Sequence, residues 1–198
     1  RETAPEQAHP RMYLDEQGNP IPSLSLDGPL AAGIPGTPAA LVHIAEHYGE
    51  LPLTTTLAPA IQLARNGFPI DQHYRRMAEF RLAAIRQAPA AAAQFLTKNN
   101  IPPLGHILRQ PELANTLQLI AKQGAAGFYQ GTLATQMVNE VKKAGGIWTK
   151  NDLASYRVVE RQPIIGHYQG HRIISAPPPS SGGVALVQML HMLENLPV

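Results

Sequence analysis

The chain contains no cysteine, which excludes a disulfide framework, a thiolate metal site and a cysteine nucleophile. Aromatic residues make up only 6% of the sequence, and no run of the sequence concentrates its basic residues, so it lacks the features of a nucleic-acid surface. No apolar run reaches the roughly 18 residues that a membrane helix needs. We therefore expect no nucleic-acid partner and no membrane span in this chain.

Apolar residues and proline are what the sequence has in quantity. Hydrophobic residues supply 44% of the chain and charged residues 15%, which is enough apolar material for one packed core. The 19 prolines are about twice the usual share. They cluster between periodic segments, where a missing N–H costs least. The composition therefore predicts a folded chain whose elements are separated by prolines.

Residues 1–36 alternate short polar pieces with turn signals at Gln17-Gly18-Asn19-Pro20 and Asp27-Gly28-Pro29, a pattern typical of an extended segment that wraps a surface. Residues 37–155 carry helical periodicity instead. We predict helices over residues 38–48, 56–66, 71–87, 90–96, 111–123 and 132–144. Thr37 is expected to cap the first of them, and Thr149 with Asp152 fits a capping box that opens a further short helix.

The character of the sequence changes over residues 156–198. Pairs of β-branched residues at Val158-Val159, Ile164-Ile165 and Ile173-Ile174 indicate strands, and Gln169-Gly170 fits a hairpin turn between the last two. Residues 184–196 are apolar on nearly every side, which predicts a buried helix. Because an isolated hairpin is marginal in water, we expect the three regions to form one incomplete domain of the α+β class, mostly helical.

One short pattern suggests a metal. His43-Ile44-Ala45-Glu46-His47 matches the H-x-x-E-H signature of a zinc protease helix, and histidines four residues apart share a helix face. However, Gly49 ends the predicted helix just after the second histidine. The pair also lies opposite an apolar stripe that includes Leu41 and Tyr48, so a solvated face is the ordinary explanation. We predict no metal site.

A second pattern lies at a strand-to-helix turn, Ser180-Ser181-Gly182-Gly183. Backbone N–H groups at a helix start attract negative charge, so these residues could contact an anionic ligand. They do not form G-x-S-x-G and have no base partner in the sequence, which disfavours a serine nucleophile. We prefer the interpretation that Ser180 or Ser181 caps the helix. The residues by themselves therefore supply no catalytic group.

Several stretches together carry a family resemblance. Residues 1–5 read R-E-T-A-P, residues 33–40 read G-I-P-G-T-P-A-A, and residues 57–68 read L-A-P-A-I-Q-L-A-R-N-G-F. The most specific stretch is A-P-P-P-S-S-G-G at residues 176–183, while F-Y-Q-G at residues 128–131 and the G-G and D-L-x-x-Y of residues 145–156 fall in the same order. In this order they resemble the large segment of the γ-glutamyltransferase family, with Ala40 where the family commonly has glycine.

The resemblance implies a fold and a chemistry. It implies part of the αββα sandwich of an N-terminal-nucleophile hydrolase, made from a precursor that cuts itself and exposes a threonine at the start of a smaller segment. That threonine would cleave the γ-glutamyl amide of glutathione and related compounds through an acyl-enzyme, and pass the acyl group to water, an amino acid or a peptide. No cofactor is implied. The expected partner is the small segment, and the expected location is the periplasm or the cell exterior.

One residue of the family's substrate site maps onto this sequence. Arg1 matches the arginine that binds the substrate's α-carboxylate, a task that suits the guanidinium fork. The resemblance also leads us to expect family strands before Arg1, and the nucleophile-bearing segment after Val198. We therefore predict that no catalytic residue lies in this chain and that the chain alone is inactive. The alternative is a non-catalytic binding or scaffold piece of a degenerate relative.

Overall fold

The computed structural model describes residues 1–194. Their contacts divide the chain into two units, Arg1–Val158 and Val159–Val198, which are described separately below. The architecture is α+β and mostly helical, as the sequence predicts. The expected grouping of the three sequence regions into one domain stays a prediction. Among the residues described, no helix is long and apolar enough to span a membrane.

The first unit begins with a largely extended segment. Its start is fastened to its end by an antiparallel bridge in which Thr3 and Ile34 exchange two hydrogen bonds, with N–O distances of 3.2 and 2.8 Å. Between them lie a short helix α1 (Pro22–Leu26) and a 3-10 turn (Pro29–Ala31), neither of which is predicted from the sequence. Each is five residues or fewer and starts with proline, so neither shows helical periodicity.

Helices make up most of the remainder of this unit. They are α2 (Thr37–Tyr48), α3 (Leu53–Thr56), α4 (Ala58–Asn66), α5 (Gln72–Gln87), α6 (Pro89–Phe95), α7 (Pro111–Gln123), α8 (Ala126–Tyr129), α9 (Gly131–Lys143) and α10 (Lys150–Ala154). The predicted helices are confirmed within one or two residues, whereas the four-residue α3 and α8 were missed. Strands β1 (Phe68–Pro69) and β2 (Ile107–Leu108) pair antiparallel.

The start and the exposed face of α2 differ from the prediction. Gly36, not Thr37, occupies the N-cap position, and no side chain caps the helix. The helix packs on the core through Ala39 and Val42, while Leu41 and Tyr48 of the apolar stripe are 54% and 70% exposed. Tertiary packing at Gly36, described below, sets the start of this helix in place of a cap hydrogen bond.

The core of the first unit forms where α2, α8, α9 and α10 meet the end of the extended segment. Its buried members are Ile34, Ala39, Tyr129, Ala134, Val138, Trp148 and Leu153. The indole N–H of Trp148 donates to the carbonyl oxygen of Ala32 at 2.9 Å, so the one polar group of this side chain is satisfied. The end of the extended segment therefore packs into this cluster through Ile34 and Ala32.

A buried carboxylate attaches the extended segment to α10. The capping box is confirmed, since Thr149 and Asp152 bond reciprocally at the helix start. Asp152, only 7% exposed, accepts from the backbone N–H and the hydroxyl of Thr149, both at 2.7 Å. It also accepts the backbone N–H of Glu6 at 2.7 Å. One carboxylate therefore joins residues 146 positions apart in the sequence.

The second unit is a hairpin with a helix against it. Strand β3 (Ile164–Tyr168) pairs antiparallel with β4 (His171–Ser175). The turn residues Gln169 and Gly170 both have positive φ, 45° and 78°, as a type I′ hairpin turn requires. The predicted hairpin is confirmed. The pair Val158-Val159, by contrast, lies in no strand. Two β-branched residues favour a strand but do not form one without a neighbouring strand to pair with.

Helix α11 (Ser181–Glu194) follows the hairpin. It starts three residues earlier than predicted, and residues 195–196 of the predicted helix lie outside the described residues. The prediction that it is buried is wrong for the residues described, because Met189 and Met192 are 55% and 70% exposed. Among the residues described in this unit, the helix contacts strands β3 and β4, and the side that carries Met189 and Met192 is exposed. Val187 of this helix packs against Gly166 of β3, where a Cβ would lie 2.9 Å from the two Val187 methyl carbons.

We expect Asp152→Asn to lower the free energy of unfolding by about 1–3 kcal/mol, because an amide has only one acceptor oxygen for the three donors now bound. Chemical denaturation at pH 7 measures the change. Glu6→Gln is the matched control, since Asp152 bonds the backbone of Glu6 and not its side chain. Equal losses in the two variants would contradict the role given to the Asp152 carboxylate.

Candidate functional site

Arg1 presents an exposed guanidinium. The side chain is 58% exposed, and its Nη2 donates to Oε1 of Glu2 at 3.1 Å. A backbone N–H and the Arg1 guanidinium both hold the pKa of Glu2 below its ordinary value. A solvent-exposed ion pair of this kind contributes little to stability. The guanidinium can therefore exchange this partner for another carboxylate.

The backbone of Arg1 is held much more firmly than its side chain. The Tyr156 hydroxyl donates to the carbonyl oxygen of Arg1 at 2.6 Å. Gly36 packs against the same two groups, and a Cβ on Gly36 would overlap both the Arg1 carbonyl and the Tyr156 hydroxyl. Only glycine fits at this position, so Gly36 permits the close contact between the G-I-P-G-T turn and the first residue of the R-E-T-A-P stretch.

The aromatic ring of Tyr156 rests on a second tyrosine. The rings of Tyr129 and Tyr156 stack with centroids 5.3 Å apart and an angle of 8° between their planes. The Tyr129 hydroxyl donates to the carbonyl of Pro35 at 2.6 Å and accepts the Ala39 N–H at 3.2 Å. Burial raises the pKa of Tyr129, and Tyr156 adds to the rise, while the Ala39 N–H opposes it. The support beneath Arg1 thus reaches the core.

Two cavities of the first unit have glutamate but no basic side chain in their linings. A cavity of about 300 Å³ lies along the extended segment, with Glu2, Thr3 and Gly33 among its lining residues. A larger one, about 610 Å³, lies between α7 and α9 and has Glu112 and Glu140 but no basic side chain in its lining. Neither lining offers a basic partner to a carboxylate, so these cavities do not identify the site.

The predicted Pro/Ser/Gly turn belongs to the second unit. The Ser180 N–H donates to the carbonyl of Pro177 at 3.1 Å, which closes the turn. Ser181 and Gly182 open α11 and are exposed, whereas Gly183 is buried. A Cβ on Gly183 would overlap the Ala176 carbonyl, so this glycine permits close packing of helix on strand. A ligand role for these four residues stays a prediction.

The histidine pair on α2 forms a stack. The rings of His43 and His47 have centroids 4.1 Å apart, and Nδ1 of His47 lies 3.0 Å from the carbonyl oxygen of His43. Over the part of the chain that the structure describes, no group of three or more histidine, aspartate or glutamate side chains could hold a metal ion. The H-x-x-E-H spacing here thus accompanies a ring stack on a short helix.

The sequence did not predict Tyr156, Tyr129 and Gly36 as supports of Arg1. All three lie in stretches that carried the resemblance: Gly36 in G-I-P-G-T, Tyr129 in F-Y-Q-G and Tyr156 in D-L-x-x-Y. These stretches are far apart in the sequence and converge only in the fold. Their common order was a usable signal, but nothing in the spacing states which of them would touch Arg1.

Comparison with known proteins decides the family. The family model of gamma-glutamyltranspeptidase matches residues 1–198. The chain belongs to this family. The glutathione hydrolase proenzyme of Escherichia coli K12 is 42% identical over 196 residues, which are 98% of this chain and 34% of that protein. The corresponding proenzyme of Bacillus subtilis strain 168 is 38% identical, with 98% and 33% covered.

Solved structures agree with this assignment. The gamma-glutamyltranspeptidase of Helicobacter pylori superimposes with a TM-score of 0.96 at 43% identity, covering 99% of this chain and 56% of that one. A cephalosporin acylase of Bacillus halodurans superimposes with a TM-score of 0.83 at 30% identity, covering 98% and 37%. The fold class is confirmed as an α+β piece of the N-terminal-nucleophile hydrolase sandwich. The chain spans about a third of the length of the curated relatives it matches.

We expect the Tyr129→Phe variant to lose part of the phenolate absorbance change that occurs above pH 10 in a spectroscopic pH titration. An unfolded tyrosine ionises near its ordinary pKa of 10.0, whereas burial raises the pKa of Tyr129 in the fold. Its contribution to stability is therefore complete below pH 10 and is lost as the pH rises through the raised pKa. Burial also raises the pKa of Tyr74, so the Tyr74→Phe variant should likewise lose absorbance change above pH 10. Loss of amplitude near pH 10 in the Tyr129 variant would contradict the assignment.

Proposed function

We propose that this chain is part of the large segment of an enzyme that cleaves the γ-glutamyl amide of glutathione and related compounds. The observation that carries the proposal is the family match along all 198 residues. Relatives named glutathione hydrolase reach 42% identity, compared with 33% for an acylase proenzyme of a Pseudomonas strain. A γ-glutamyl donor is therefore favoured over the acyl donors of the acylases.

In the proposed reaction, a threonine released at the start of the small segment uses its own amine as the base. Its hydroxyl oxygen attacks the γ-carbonyl carbon of the donor, and backbone N–H groups stabilise the oxyanion. The amide C–N bond breaks, and the leaving amine takes up a proton. Water or an amino acid then attacks the γ-glutamyl ester and releases the threonine hydroxyl. None of the threonines of this chain is given this role.

Arg1 is proposed to bind the α-carboxylate of the donor. Support comes from the exposed guanidinium on a firmly held backbone, since the planar guanidinium fork can meet a carboxylate with two charge-assisted hydrogen bonds. The contact with Glu2 at 3.1 Å gives the guanidinium a carboxylate partner that the donor would replace. The donor's negative charge would therefore compete with Glu2 for the same group.

The partner, the cofactor requirement and the location of the enzyme are proposed from the family resemblance. The partner of this chain is the small segment of the same precursor, which would supply the nucleophile and the oxyanion donors. The reaction needs no cofactor, because the threonine and its amine provide both nucleophile and base. We propose a periplasmic or extracellular location.

We expect Arg1→Ala in the full-length parent protein to raise KM for a γ-glutamyl anilide roughly 10- to 100-fold. The estimate follows from the loss of charge-assisted hydrogen bonds worth about 1.5–3 kcal/mol. Release of the aniline gives the rate. Arg11→Ala, at another exposed arginine of the same segment, is the control. Equal KM values in the two variants would refute the role of Arg1, and an inactive parent would favour the scaffold alternative.

The 198-residue chain by itself is expected to release no glutamate from a γ-glutamyl amide, since the proposed nucleophile belongs to the small segment. Glutamate release measured against the parent protein at equal concentration checks this. Turnover by the chain alone would show that it carries a nucleophile of its own.

A further inference from the structure

Arg1 can select a carboxylate only if its Cα is held in place. Its side chain is long, 58% exposed and paired with an equally exposed Glu2, so the side chain supplies little fixed geometry of its own. What fixes the residue is the hydrogen bond from the Tyr156 hydroxyl to the Arg1 carbonyl, at 2.6 Å. A side chain distant in sequence thus determines where the guanidinium starts.

Tyr156 is itself held on its ring face and at its hydroxyl. Its ring lies parallel to that of Tyr129 at 5.3 Å, and Tyr129 is 6% exposed with its hydroxyl in two hydrogen bonds. At the other end, Gly36 closes against the Tyr156 hydroxyl and the Arg1 carbonyl with no room for a Cβ. The hydroxyl therefore has one position, fixed by the core.

A second attachment lies two residues along the chain and does not depend on Tyr156. Thr3 and Ile34 exchange hydrogen bonds of 3.2 and 2.8 Å. Loss of the Tyr156 hydroxyl would leave that pair and the Tyr129–Tyr156 ring stack in place. The segment would stay attached, while the Arg1 peptide group would be free to turn.

We propose that Tyr156 is a positioning residue for the γ-glutamyl donor, acting through the Arg1 carbonyl to aim the guanidinium at the donor's α-carboxylate. The inference rests on the proposed function. It assigns Tyr156 an effect on donor binding and none on the chemical step, because its hydroxyl is bonded to Arg1 and not to the reacting amide. The effect also depends on the donor carrying a negative α-carboxylate.

The test uses the full-length parent protein with Tyr156→Phe and two donors, a γ-glutamyl anilide and its α-methyl ester. For the anilide we expect KM to rise roughly three- to tenfold with kcat little changed, as the loss of one hydrogen bond of ordinary strength implies. For the ester, which offers no carboxylate, the variant and the unchanged protein should have equal KM values. Tyr74→Phe removes a similar hydroxyl-to-carbonyl bond, 3.0 Å to Phe95, and should leave both KM values unchanged.

The outcomes separate the two proposals. A KM effect in Tyr156→Phe that is equal for both donors, or a fall in kcat alone, would overturn the positioning role while leaving the proposed function standing. Combining Tyr156→Phe with Arg1→Ala should raise KM no further than Arg1→Ala alone, and additive effects would overturn it as well. If the unchanged parent cleaves neither donor, the proposed function fails and this inference fails with it.

Discussion

The first unit depends on the close approach of three groups, the Arg1 carbonyl, the Tyr156 hydroxyl and the α-carbon of Gly36. The space between them admits no Cβ, so the turn before α2 must carry glycine and the helix starts without a side-chain cap. Tyr129 supports the group from the core by stacking on Tyr156. The exposed beginning of the chain is thereby attached to some of its best-packed residues.

Most of the helices and the hairpin could be predicted from the sequence. Glycine marked the ends of the helices at Gly49, Gly67 and Gly124, and the reciprocal bonds of Thr149 and Asp152 followed from their spacing. These signals work because they depend on neighbouring residues only. Helices of four residues were missed, since one turn shows no period, and the burial of α11 was overestimated because apolar composition does not say what covers a helix.

The site was less predictable than the fold. Arg1 came from family resemblance alone, and its role stays a prediction. The structure adds its supports, Tyr156 and Gly36, by contacts across 155 and 35 positions of sequence. Such contacts depend on the packing of the whole unit and leave no local pattern. Relatives that include a cephalosporin acylase further show that one scaffold hosts different acyl donors, so fold likeness alone would not choose among them.

The oxidation rate of the exposed methionines of α11 depends on what surrounds the second unit. Met189 and Met192 are 55% and 70% exposed within the described residues, and a thioether open to peroxide gains one oxygen to become a sulfoxide. If another part of the parent protein covers that face, oxidation of both methionines would be slower. The mass of a peptide spanning α11, followed over time in dilute peroxide, therefore reports whether the helix face is covered, without any label or substitution.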